Sequence, residues 1–167
     1  MQKSWLGEAA GNQFLVLDGR RKDDYLAACQ FLDKLRVKNK WSFFDSALLL
    51  TESARASVQM HVLERDGTTS DMCGNGARLV GRLLNFLGEK PTIETRSGDL
   101  VHQLPTNRSS TCVPLTISCI GVNISQEGLG TFSLVLVSGE PHAVFEGRNI
   151  QSAPVTAVGR KLSGSMN

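Results

Sequence analysis

The feature that most constrains this chain is Asp71-Met72-Cys73-Gly74-Asn75-Gly76-Ala77-Arg78, which runs straight into Leu79-Val80-Gly81-Arg82-Leu83-Leu84-Asn85-Phe86-Leu87. A cysteine stands before two glycines and an asparagine, and those residues open an apolar helical run. Backbone N–H groups at a helix start have no partner within the helix, and together with the helix dipole they attract anions. A thiol placed there is expected to have a lowered pKa, with thiolate accessible near neutral pH. The glycines remove side-chain bulk, so a carboxylate can approach the backbone. The segment therefore combines a proton-transferring sulfur with a carboxylate cradle, suited to chemistry at the α-carbon of an acid or amino acid. A lone Cys-Gly pair would read instead as a buried cysteine at an ordinary turn. The eight-residue string is far more specific than that.

Periodicity supplies the surroundings. Phe14-Leu15-Val16-Leu17 reads as a buried strand ending at Asp18-Gly19, and Tyr25 to Leu35 as a helix with Cys29 in its core face. Ala47-Leu48-Leu49-Leu50 is a short buried strand. Val58 to Glu64 alternates with period two, and Arg65-Asp66-Gly67-Thr68 follows as a turn. The helix from Gly74 to Leu87 is apolar on nearly every side, which predicts burial all round. Thr92 to Thr95 and Asp99 to His102 flank Arg96-Ser97-Gly98 as a hairpin; Leu115 to Ile120 and Phe132 to Val137 are further strands. Cys112 falls in a Ser/Thr-rich loop. Many strands around one buried helix predict an α+β fold occupying residues 1–150. Residues 151–167 show no sustained periodicity and read as a linker or tail.

Composition narrows the function classes. A net charge of +2 with mixed signs leaves no polybasic footprint, so nucleic acid is not expected as a partner. No apolar stretch reaches membrane-span length, and the N-terminus lacks a signal-peptide layout. Four cysteines without such a signal suggest neither a disulfide framework nor a zinc site. His61 and His102 lie in strand-like stretches without partners in sequence, so no metal is expected; His142 suits a structural hydrogen bond. A reducing cytoplasm is the expected setting, and it would keep Cys73 as a thiol.

Met72 to Arg78 matches, residue for residue, the first cysteine motif of the diaminopimelate epimerase family of cofactor-independent amino-acid racemases and epimerases, and the chain resembles the N-terminal half of that family. Ala10-Gly11-Asn12-Gln13-Phe14 resembles its Gly-Asn-Asp-Phe stretch, and Ser138-Gly139-Glu140-Pro141-His142 its Gly-Asn-Pro-His segment. Asp66-Gly67 fits its Asn-x-Asp-Gly element. The resemblance implies a curled, mostly antiparallel sheet around a central helix, as one domain of a two-domain fold. It implies Cys73 as one of two acid/base cysteines, a carboxylate held by Gly74 and Asn75, and Asn12 orienting the substrate. On its own residues, Asn12 reads equally well as a turn residue.

The departures redirect the expectation. Glu64 and Glu140 stand where the family carries Asn, and Ser46 ends a segment that lacks the family's Gln. Ser46, Glu64 and Glu140 remain candidate binding residues. The two glutamates either face a cationic substrate tail, which favours a basic amino acid over diaminopimelate, or point to solvent. No second Cys-Gly-Ser/Thr-Gly motif is present, so a second domain or chain is expected to bring the other cysteine, with a homodimer as an alternative. The resulting expectation is an isomerase, an amino-acid racemase or epimerase present as one half. An organic-acid isomerase of the same fold and a non-catalytic binding or assembly remnant are the alternatives.

Overall fold

The computed structural model describes residues 3–37, 41–103, 115–116, 119–126, 129–146 and 149–165. The chain divides into two compact units, Met1–Ser118 with Ser138–Glu140, and Cys119–Val137 with Pro141–Asn167. The boundary expected near residue 150 does not coincide with this division. Cys112 lies outside the described residues.

The first unit opens with strands β1 (Ser4–Ala9) and β2 (Asn12–Asp18), joined antiparallel with Ala9 opposite Asn12. Their two-residue turn places Ala10 at φ 51 and Gly11 at φ 85. Positive φ at both positions is what a hairpin of this length requires. Helix α1 (Lys22–Val37) follows, then a 3-10 turn (Trp41–Phe43) and strands β3 (Ser46–Thr51), β4 (Val58–Glu64) and β5 (Thr69–Ser70). Helix α2 (Gly74–Phe86) leads to β6 (Thr92–Glu94), β7 (Leu100–Gln103) and β8 (Leu115–Thr116). The sheet order is β1-β2-β3-β4-β6-β7-β8, with β5 paired to β4. Pairing is antiparallel except β2 with β3 and β4 with β6, the two pairs whose connections carry helices. This is the expected α+β class with a mostly antiparallel sheet.

Alternation decides which helix each strand residue meets. Phe14, Val16, Leu48, Leu50, Val58, Met60 and Val62 pack with Ala77, Val80 and Leu84 of α2. Leu15, Leu17, Ala47 and Leu49 pack with Ala28 and Leu32 of α1, and Cys29 lies partly buried beside them. Strands buried on both faces read as continuous apolar runs, which is why the sequence of β2 and β3 looks uniform.

Helix α2 corrects one expectation. It is not buried all round: Phe86 is 84% exposed, and Arg82 and Asn85 also face solvent. Apolar composition had hidden an ordinary two-sided helix whose buried stripe is Gly76, Ala77, Val80, Gly81 and Leu84.

The second unit contains β9 (Cys119–Gln126), β10 (Gly130–Val137) and β11 (Glu140–Val144), in sheet order β11-β10-β9. A 3-10 turn (Ile150–Ser152) and helix α3 (Val155–Ser165) follow, so a helix occupies most of the stretch read as linker or tail. Phe132 stacks on Phe145 at a centroid distance of 4.8 Å. Among the described residues no helix is long and apolar enough to cross a membrane.

Leu84 and Phe86 test the two-sided reading of α2. Leu84→Ala should cost about 2–5 kcal/mol in urea denaturation, whereas Phe86→Ala should stay within about 0.5 kcal/mol. Equal losses at both positions would mean that the outer face of α2 is covered in solution.

Candidate functional site

Strand register brings several candidate residues to one end of the α2-facing side of the sheet. Phe14 pairs with Ser46, and Ser46 pairs with Glu64. Asn12 lies two residues before Phe14 and so shares its face. Helix α2 starts at Gly74, with Cys73 as its N-cap in extended conformation (φ -132, ψ 110).

The Cys73 sulfur accepts from the Gly76 N–H at 3.4 Å. A thiol thus takes the place usually held by a serine or aspartate oxygen at a helix cap. Its pKa corrects the expectation of a lowered value. Burial pushes the Cys73 thiol above its ordinary value, the Gly76 N–H pulls it down, and the Glu64 carboxylate pushes it up again. The Asn75 N–H and the Arg78 guanidinium also act downward, but burial prevails. Cys73 therefore rests as a thiol at neutral pH.

Glu64 does not point to solvent. Its Oε2 accepts from the Ser46 hydroxyl at 2.8 Å and its Oε1 from the Ser70 hydroxyl at 2.9 Å. Ser46 is itself buried. A carboxylate near the thiol is thus held by two donors, one on each side. Ser70 was missed by the sequence reading, although the turn after Glu64 signals the β4–β5 hairpin that returns Ser70 to this strand.

Asn12 and Asn75 meet directly: the Asn75 Nδ2 donates to the Asn12 Oδ1 at 2.8 Å. Arg78 Nη1 in turn donates to the Asn75 Oδ1 at 3.2 Å. A methyl group at Gly74 would be in ordinary contact with Arg78 Nη1 at 3.4 Å and the Met72 Cε at 4.0 Å, with no clash. Glu140 lies at the turn after β10, where its Oε1 accepts from the backbone N–H of Asp71, two residues before the cysteine. Gly139, at φ 91, packs against the Asp71 side chain in the same turn. Asp71 also faces Arg96 Nε at 3.7 Å.

His61 is half-buried and bonds the Thr51 hydroxyl at 3.0 Å, and burial holds its pKa below the ordinary value. Among the described residues no three His, Cys, Asp or Glu side chains are grouped so as to hold a metal ion.

Comparison with known proteins adds sequence and fold relatives. No protein-family model matches the chain. It is 32% identical to a diaminopimelate epimerase of Leptospira biflexa over 114 residues, covering 66% of this chain and 40% of that protein. It is 26% identical to a diaminopimelate epimerase of Legionella pneumophila (strain Paris), covering 92% of this chain and 62% of that protein. Both relatives are therefore substantially longer than the matched part. Among solved structures, a hydroxyproline epimerase from Agrobacterium vitis with bound trans-4-hydroxy-L-proline superposes with a TM-score of 0.61. That match has 19% identity and covers 99% of this chain and 59% of the other, which supports the fold.

The Glu64 carboxylate should hold Cys73 in its thiol form. In Glu64→Gln the midpoint of Cys73 alkylation against pH should fall, because a neighbouring negative charge disfavouring the thiolate is gone. Iodoacetamide rates on the 167-residue chain would show this, and an unmoved midpoint would place Glu64 outside the electrostatic reach of the sulfur.

Proposed function

The chain belongs to the diaminopimelate epimerase-like family, and from that premise we propose that it forms one side of a cofactor-independent amino-acid racemase or epimerase. The observation that carries this reading is the Cys73 thiol capping α2 directly before Gly74. Inversion of an α-carbon needs a base on one face and an acid on the other. Cys73, resting as a thiol, suits the acid that returns the proton. The opposite group comes from a second domain or chain, in a reducing cytoplasm that keeps the thiol free. As enolate charge develops on the substrate carboxylate, the Gly74 N–H and the Asn12 side chain gain in strength as donors.

Glu64 is the residue assigned to substrate choice, and a cationic ligand group would be its partner. Glu140 is already engaged by the Asp71 N–H, so its part is to hold the approach to Cys73. A cation meeting Glu64 belongs either to the tail of a basic amino acid or to the α-ammonium group.

The 167-residue chain alone should show no inversion of arginine, lysine or diaminopimelate by chiral chromatography, because a single acid/base serves one face. Addition of a polypeptide carrying the second cysteine motif should restore it, and Cys73→Ser should lower the restored rate by about 10²- to 10⁴-fold. Inversion by the chain alone would assign the second group to this chain or to a symmetric dimer of it.

In the restored enzyme, Glu64→Gln should weaken arginine and lysine by roughly tenfold or more while sparing diaminopimelate, if the side-chain cation is the partner. Equal weakening of all three would assign Glu64 to the α-ammonium group. No change in any would remove Glu64 from the ligand.

A further inference from the structure

Arg78 follows Asn75 by three residues on α2, so the two side chains share one face of the helix. A guanidinium carries donors and no acceptor. The Asn75 atom 3.2 Å from Arg78 Nη1 is therefore the carbonyl oxygen, since an amide nitrogen there would set donor against donor. Once that oxygen is fixed, the Asn75 nitrogen faces the other way, and it lies 2.8 Å from the Asn12 Oδ1. The Asn12 oxygen is then taken, and the group that Asn12 has left to offer is its NH2. Three side chains on two elements thus form a chain with one direction, beginning at a cation that cannot reverse its role.

We infer that Arg78 is a positioning residue: acting through Asn75, it turns the Asn12 amide so that Asn12 presents N–H donors, which take a carboxylate and refuse an ammonium group. This inference rests on the proposed function, in which a carboxylate sits beside Cys73. It assigns to Arg78 a task separate from its charge. Without Arg78 the Asn75 amide rotates freely, and Asn12 then presents oxygen as readily as nitrogen.

Iodoacetate and iodoacetamide provide the test on the 167-residue chain, because they differ in charge but alkylate the same sulfur. Their rate ratio at Cys73, divided by the ratio for free cysteine, reads the preference for a carboxylate over a neutral amide, and the double substitution below separates recognition from charge. Any change in thiolate fraction affects both reagents equally and cancels. Arg78→Met should lower the normalised ratio about three- to tenfold, and Asn75→Ala should lower it by a similar factor. The double substitution should be no worse than Asn75→Ala, since the two residues act in series. Losses that multiply would overturn the inference and leave Arg78 acting by its charge. Should Arg78→Met not fold, Arg78→Gln keeps an N–H donor without charge and should retain most of the preference; a full loss in Arg78→Gln would equally overturn it. An intact ratio pattern with no inversion by the completed enzyme would sink the isomerase reading and spare the relay. Multiplying losses with normal inversion would do the reverse.

Discussion

The site depends on how closely the first turn of α2 approaches the sheet. A methyl group at Gly76 would lie 3.1 Å from both Leu48 methyls and 3.4 Å from the Cys73 Cβ, so only glycine permits this contact without displacement. The same residue donates its N–H to the Cys73 sulfur. Backbone bond and close approach thus fix the cysteine from two directions at one residue. Leu48 is fully buried on β3, and β3 carries Ser46 two residues earlier on the same face. Packing in the core therefore determines how far the thiol stands from the Ser46–Glu64 pair. The parallel β4–α2–β6 crossover then leaves the helix start beside the end of β4 that bears Glu64.

Competing electrostatic effects are decided here by magnitude. A helix N-terminus contributes about 0.3–1 kcal/mol to a nearby anion at exposed sites. Removing an anion from water costs several kcal/mol even after relaxation of the surroundings. The second effect exceeds the first once the sulfur is largely enclosed, and Glu64 adds to it. A helix-capping cysteine is thus not by itself an activated one. What α2 supplies is orientation and a donor at the sulfur, while the enclosure sets the protonation state. Burial and the neighbouring carboxylate thus keep Cys73 in its acid form, beside a glutamate that two serine hydroxyls hold in place.

Much of the first unit was legible because burial there follows simple periods. The full span of β4 could be read from alternation at Val58–Glu64, and α2 from the glycine-opened apolar run. Strand β1 escaped notice because Trp5 and Leu6 are adjacent and point to opposite faces, so no apolar period marks it. Leu6 is 74% exposed. The burial of α2 was overestimated because composition counts apolar residues without asking whether a neighbour covers them. Side-chain pairs were the least legible feature. Ser46 with Glu64, Ser70 with Glu64, and Asn12 with Asn75 all depend on strand register or on where a helix starts against the sheet. Arg78 stood in the quoted motif, yet its bond to Asn75 follows only from the helical geometry.

The second unit differs physically from the first. Its described residues bury few large apolar side chains, Phe132 among them, while Ile120, Val122 and Val155 stay mostly exposed. A groove of about 710 Å³ runs along Phe145, Val155, Val158 and Leu162 within this unit. A three-stranded sheet gains its stability by covering an apolar face, and backbone pairing alone is marginal. Exposed apolar faces of this kind are where proteins meet other polypeptides, membranes or ligands. Inversion of a carbon centre makes a separate demand, for a second acid/base that reaches the substrate from the side opposite Cys73. Under the proposed function that second group comes from another domain or chain, so the carbon would meet its second acid/base only in the assembled enzyme.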